Sequence, residues 1–291
     1  MIDSNSPSVL KRSLKSRVIG ISASLGENHA AFGMKQDELD RVLSRLCEAL
    51  LGHGARLAFG HDWRPDGVMD VIVSMALQYK LQVAAGSDPR DLKEPRVKNF
   101  VHSETQSAMP AEVRGELQGL VEVYQCEKVQ DGSLDRVPAE TRFRLALLAM
   151  RGELVASSDT LISIGGPTFK YAGWFPGILE EVLRNLQAGH GVFLCRSFGG
   201  ITAMLYDAYL SDDPEAKDAA RKILSERMNE GLVEMATVLG TDHEAYGKVY
   251  ELWDVLKRWE TRKVGGTMAL DADTIVTEFL IWDKEQIHHD W

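Results

Sequence analysis

Short apolar runs that end in glycine-bearing loops and then give way to amphipathic helices recur along this sequence, and that rhythm restricts the fold more than any other feature. Arg17-Val-Ile-Gly-Ile-Ser22 is the first such run, and it leads into Ala23-Ser24-Leu25-Gly26-Glu27. Leu39, Val42, Leu43, Leu46 and Leu50 share one face at helical spacing, which predicts a helix over 34–51 ended by Gly52 and Gly54. Ala55–Phe59 is the next run, followed by the turn-rich loop Gly60–Gly67 and a predicted helix over 68–81. Strand–loop–helix units joined by short turns require parallel strands covered by helices. The expected architecture is therefore α/β, with a doubly wound parallel sheet.

The middle of the chain is less regular. Strands are predicted at Val97–His102 and Gly119–Tyr124, with a short helix over Ala111–Leu117. A long helix over Pro138–Val155 precedes the apolar run Leu161–Ile164, which reads as a strand buried on both faces. A helix from Pro176 to Ala188, a strand over Gly191–Cys195 and one further helix complete the pattern. After about Asp212 it changes to two long amphipathic helices, 214–239 and 243–260, and a short tail containing Ile275–Trp282. The predicted organisation is a flexible N-terminus over 1–16, a ligand-binding α/β domain over 17–210, and a C-terminal helical extension over 211–291. The Leu/Met stripes of that extension, with Trp253 and Trp259, suit helix–helix contacts and a homo-oligomer.

Of the 291 residues, 44% are hydrophobic, enough for a sizeable core, and the formal net charge is −10. That balance argues against a nucleic-acid binder, whose footprint is basic. No apolar run approaches the ~20 residues of a membrane span. Cys47, Cys126 and Cys195 are isolated, with no metal-ligand spacing, so a reduced, cytoplasmic setting without a metal or cofactor is expected. No GxGxxG, GxxxxGK[ST], GxSxG or HExxH motif occurs, which removes the sequence support for hydride transfer, P-loop, α/β-hydrolase and zincin chemistry.

What remains is positional. In an open parallel sheet the ligand lies beyond the carboxyl ends of the strands. Those ends carry residues 22–27, 60–67, 165–177 and 195–200, each with glycine. Glycine lets backbone amides approach an anion, and Trp63, Phe169, Tyr171, Trp174 or Phe175 can stack on a base. The segment Gly165-Gly166-Pro167 through Lys170 to Phe175-Pro176-Gly177-Ile178-Leu179-Glu180-Glu181 is the most informative. Pro176 suits the first position of a helix, whose free amides favour a phosphate. Glu180 or Glu181 can accept both hydroxyls of a ribose, although acids near a helix start also merely complement its dipole. A ligand role for Arg151 is weighed against a solvated helix face.

Residues 17–210 resemble the SLOG superfamily, which contains the lonely-guy phosphoribohydrolases and the DNA-processing protein A fold. The shared features are Met150-Arg151, Gly165-Gly166, Pro176-Gly177 with the following glutamates, Ser197-Phe198-Gly199-Gly200, the opening Ser22–Glu27, and the Gly60–Pro65 loop. They are most similar to a branch associated with TIR and nucleoside phosphorylase domains. The resemblance implies a Rossmann-like fold and a nucleotide-derived ligand of the ADP-ribose or cyclic ADP-ribose type, sensed in antiphage defence, with a TIR-domain or nucleosidase partner. In the lonely-guy relatives the corresponding site cleaves base from ribose phosphate; this chain lacks their second Gly and Gly-Thr pair. Ser197 stands where the branch has glycine, and a positive φ there would be strained.

The expected site then runs as follows. Backbone around Ser22, Ser24, Leu25, Gly26, Gly165, Gly166, Pro167, Gly199 and Gly200 holds phosphates, with Phe198 beside it. Pro176, Gly177 and Ile178 open the helix, and Glu181, or alternatively Glu180, takes the ribose. Lys170 and Arg196 supply charge. Gly60, Asp62, Trp63 and Arg64 form the second wall, with Trp63 or an aromatic of 169–175, Phe175 among them, stacking on the base. The alternatives are a nucleotide N-glycosidase in which Glu181 or Glu180 is catalytic, and a scaffold subunit with a vestigial pocket.

Overall fold

The computed structural model describes residues 14–15, 17–26, 35–60, 95–102, 119–126 and 137–289, with 71, 72, 74, 75, 77 and 115 singly. The predicted N-terminal segment, the helices over 68–81 and 111–117, and the residues Asp62, Trp63 and Arg64 lie wholly or mostly outside them.

Among the described residues, seven parallel strands form one sheet. In chain order they are β1 (Val18–Ser24), β2 (Arg56–Gly60), β3 (Val97–Val101), β4 (Val121–Gln125), β5 (Thr160–Gly165), β6 (Gly191–Cys195) and β7 (Val264–Thr267). Their spatial order is 4-3-2-1-5-6-7. The order reverses between β1 and β5, which are paired from Ile19↔Thr160 to Ser24↔Gly165. This is the doubly wound arrangement, and its switch point lies between those two strands.

Seven helices are labelled α1 (Gln36–Gly52), α2 (Ala139–Ala156), α3 (Gly177–Gln187), α4 (Gly200–Leu210), α5 (Pro214–Leu239), α6 (Glu244–Arg258) and α7 (Ala272–His289). Strand alternation sends Ile19, Ile21, Leu57, Phe59, Ile162 and Phe193 to one face, where Leu39, Leu43 and Leu46 of α1 and Ile275 and Phe279 of α7 cover them. Leu161, Val192 and Leu194 point to the other face, under α3, α4, α5 and α6. Met150 and Leu154 of α2 cover Ala58 and Phe100 there. Every residue of β5 is buried, as a central strand requires.

The chain beyond residue 210 is not helical throughout. Val264–Thr267 pairs with β6 and completes the sheet, and α7 returns to the face that holds α1. The sequence Val-Gly-Gly-Thr carries too few strand formers to announce a strand. Gly265 is dictated by packing, because a Cβ there would sit 2.4 Å from the indole of Trp282. No helix among the described residues is long and apolar enough to cross a membrane.

Candidate functional site

Three glycine loops meet at the switch point, and they meet backbone to backbone. Gly165, Gly166 and Gly200 have φ of 69°, 92° and 60°. A Cβ on Gly165 would lie 2.1 Å from the Ser24 carbonyl, and one on Gly200 would lie 2.1 Å from the Gly166 carbonyl. Gly26 closes the cluster, since its Cβ would lie 3.0 Å from the Gly166 carbonyl and from the Gly200 Cα. The Gly166 amide donates to Ser24, the Ile201 amide to Gly166, and the Gly199 amide to Arg196. The amides of Gly166 and Gly199, expected to hold phosphate, are thus already spent on the loops themselves. These glycines bring the carboxyl ends of β1 and β5 and the start of α4 together, leaving the anion-binding expectation to α3.

Beside the cluster lies a cleft of about 410 Å³. It gathers Ser22, Ser24, Gly60, Pro167, Lys170, Gly177, Ile178 and Glu181 from the expected set. α3 begins at Gly177, with Pro176 as its cap residue rather than its first helical residue. No side chain caps it, and Gly177 and Ile178 at its start line the cleft. Lys170 is exposed and left-handed at φ 55°, an unusual conformation for a residue with a Cβ.

The polar floor is an ion-pair network. Arg151 of α2 donates through Nη1 to Glu180 Oε2 at 2.6 Å, and its Nε lies 3.6 Å from Glu181 Oε1. Arg184 Nε reaches Glu180 Oε1 at 2.8 Å. Glu180 is 1% exposed and has both oxygens occupied, so it is unable to take ribose hydroxyls. Glu181 lines the cleft together with Ser22. Burial lifts the Glu181 carboxyl above the ordinary range, although Arg151 and Ser22 pull it down. Burial disfavours the Arg151 charge, but Glu180 and Glu181 outweigh it and raise its pKa. Arg151 rests on the start of α3 only because residue 177 is glycine: a Cβ there would lie 2.6 Å from its Nη2.

Several expected residues sit elsewhere. Phe175 is buried against Gly231 of α5, and Phe198 is buried in the core beneath α1 and α7. Arg196 forms two hydrogen bonds to Asp207 at 2.6 and 3.3 Å and stacks over Tyr206, so its charge is met outside the cleft. Leu25 packs against the core. Among the described residues, positive φ outside glycine occurs only at Lys170 and Trp259, so Ser197 carries no such strain.

The apolar wall comes from residues absent from the expected set. Phe143, Leu147 and Met150 of α2 line the cleft with Arg151, and His102 meets the Phe143 ring edge-on at 4.9 Å. Phe143, Leu147, Met150 and Arg151 stand at i, i+4, i+7 and i+8, so one stripe of α2 delivers them all. An arginine on that otherwise apolar stripe was the available signal. Tyr171 is the aromatic of the 169–175 loop that reaches the cleft.

An open cleft at the switch point of a doubly wound sheet, with a helix start and a buried carboxylate on its floor, defines a Rossmann-like protein of the nucleotide-related class. Residues 13–272 match the family model described as SLOG cluster2, and the chain belongs to that family. The match extends past residue 210 and takes in β7, beyond the stretch that carries the motifs. No curated protein matches the chain. A solved structure similar to part of it is the MAR1 ribonuclease from Caenorhabditis elegans, at 10% identity over 83% of this chain and 91% of that one. Its TM-score of 0.27 is too low to bear on fold or activity.

Proposed function

We propose that the cleft binds the ribose and phosphate of a nucleotide-derived ligand of the ADP-ribose or cyclic ADP-ribose type and holds it intact, as a sensor or modulator. The observation that carries this reading is the division of labour between adjacent glutamates. Glu180 is consumed by Arg151 and Arg184, while Glu181 faces the cleft beside Ser22. A carboxylate so placed accepts two ribose hydroxyls. The ammonium of Lys170 and the uncapped amides of α3 meet a phosphate. Phe143, Met150 and His102 offer an apolar and aromatic surface for a base. A TIR-domain or nucleosidase partner, as the resemblance implies, would act on the same class of molecule, and antiphage defence is the setting it suggests.

The second reading is N-glycosidic cleavage, and the raised pKa of Glu181 favours it, because a carboxyl tuned upward is suited to proton transfer. Incubation with AMP, NAD, ADP-ribose and cyclic ADP-ribose isomers, followed by filtration and mass spectrometry, separates the two. An intact ligand in the protein fraction, lost in Glu181→Ala with Lys170→Ala, supports the sensor. Free base with ribose phosphate in the filtrate shows a hydrolase. Neither retention nor cleavage of any of these molecules removes both.

A further inference from the structure

Arg184 lines a groove other than the cleft, yet it is tied into the cleft's polar floor. That groove, of about 970 Å³, lies between α2 and the start of α6 and also holds Gly152, Glu153, Asp242 and Lys248. An arginine in the last turn of a helix ordinarily complements the dipole, and its i,i+4 pair with a glutamate on a solvated face contributes little. That account does not fit Arg184. Its partner Glu180 is 1% exposed, and its Nη1 lies against the backbone of α2, 3.7 Å from where a Gly152 Cβ would be.

The buried groups form a chain of alternating charge. Arg184 Nε holds Glu180 Oε1 at 2.8 Å, Arg151 Nη1 holds Glu180 Oε2 at 2.6 Å, and Arg151 Nε lies 3.6 Å from Glu181 Oε1. Two guanidiniums thus meet two carboxylates. Without Arg184, one guanidinium would serve both acids, and Glu180, its closer partner, would take it. Glu181 would then stand beside a carboxylate with too little compensation, and a like charge at short range favours the protonated acid. The other groups around Glu181 do not replace the missing cation. β1 brings Ser22 and Ser24, which carry no charge, while Tyr171, His102 and the exposed Lys170 share the open cleft. Burial lifts the Glu181 carboxyl, Arg151 and Arg184 both draw it down, and Glu180 pushes it up.

We infer that Arg184 is a positioning residue of the cleft: by sharing Glu180 it leaves Arg151 to Glu181 and keeps the ligand-facing carboxylate charged. The inference rests on the reading of Glu181 as the acceptor of ribose hydroxyls, since only the ionised carboxyl accepts two. It makes ligand affinity depend on a residue that the ligand does not touch.

The test follows Glu181 itself in the full chain. Protein labelled with 13C at the glutamate carboxyl is titrated between about pH 4 and pH 8, and the Glu181 resonance is assigned by its loss in Glu181→Gln. In Arg184→Gln its midpoint should move up by about half a pH unit or more. In Glu180→Gln it should move down, because Arg151 is left to Glu181 alone. Arg184→Lys, which keeps the charge, should return the midpoint toward that of the natural protein. Retention of ADP-ribose in the filtration assay should fail at correspondingly higher pH in Arg184→Gln and lower pH in Glu180→Gln, with similar affinities at the alkaline end. A residue that only stabilised the fold would weaken retention at every pH. Should Arg184→Gln not fold, the double variant Glu180→Gln with Arg184→Gln leaves no lone buried charge, and its midpoint should lie at or below the natural one. An unmoved midpoint in the single variants, shifts of the same sign in both, or a raised midpoint in the double variant overturns the inference. Shifts of the expected signs with no ADP-ribose retained at any pH uphold the hold of Arg184 on Glu181 and overturn the nucleotide reading of the cleft.

Discussion

The Arg151 guanidinium lies where a side chain on residue 177 would be, with its Nη2 only 2.6 Å from the position of a Gly177 Cβ. The start of α3 and the cation of α2 are therefore fitted to each other. An arginine at a helix N-terminus opposes the helix dipole, and Glu180 and Glu181 offset that repulsion. Gly177→Ala should destabilise the protein by about 1–3 kcal/mol, the usual range for overpacking, despite alanine's better helix propensity. Urea melts decide the sign, and a more stable variant would show that Arg151 moves aside freely.

Removing the cation is expected to be harsher. Arg151→Ala leaves Glu180, 1% exposed, with Arg184 as its remaining cation. Breaking a buried pair on one side typically costs about 3–5 kcal/mol. A loss under about 1 kcal/mol in denaturant unfolding would mean that Arg184 alone compensates Glu180.

Glu181 gives a pH dependence of defined sign. Its carboxyl is raised in the folded state, first by burial. Its contribution to stability is then full below the unfolded value of about 4.3 and is lost as pH rises through the higher folded value. Glu181→Gln removes this dependence. The stability of the variant relative to the natural protein should therefore improve from pH 4 to pH 7. Parallel stability curves over that interval would contradict the burial argument.

Lys170 offers a separation of stability from binding. Its left-handed backbone costs about 1–2 kcal/mol for a residue with a Cβ. Lys170→Gly should raise Tm while weakening retention of ADP-ribose or AMP in the filtration assay. A lowered Tm would show that the lysine side chain stabilises the loop by more than its strain.

Two glycines form a contrasting pair. Gly200→Ala places a methyl 2.1 Å from the Gly166 carbonyl at φ 60° and should prevent stable folding. Gly52→Ala, at the end of α1 with nothing within 4 Å, should be neutral or stabilising by up to about 1 kcal/mol. Circular dichroism and thermal melts of the two variants check both.

The periodicity of apolar residues determined the parallel sheet, six of its seven strands and the helices α1, α2, α3, α5 and α6 within a few residues, with α4 expected but given no bounds, because alternation and helical stripes are local properties. It also located the cleft, since the carboxyl end of a strand is marked by where the run stops, and eight of the residues lining the cleft were expected from those loops. Contacts between distant segments were decided by tertiary structure. Sequence put Glu181 first and left Glu180 as its alternative, but successive helix positions point about 100° apart, and only packing against α2 buries Glu180 under Arg151 while leaving Glu181 at the cleft. The glycines of 165–166 and 199–200 look like phosphate cradles locally, yet the Gly166 and Gly199 amides are spent on Ser24 and Arg196, and the space beside Gly165 and Gly200 is filled by the Ser24 and Gly166 carbonyls. Val264–Thr267 became a strand because β6 offered an edge and Trp282 covered it, a choice that no local propensity could express.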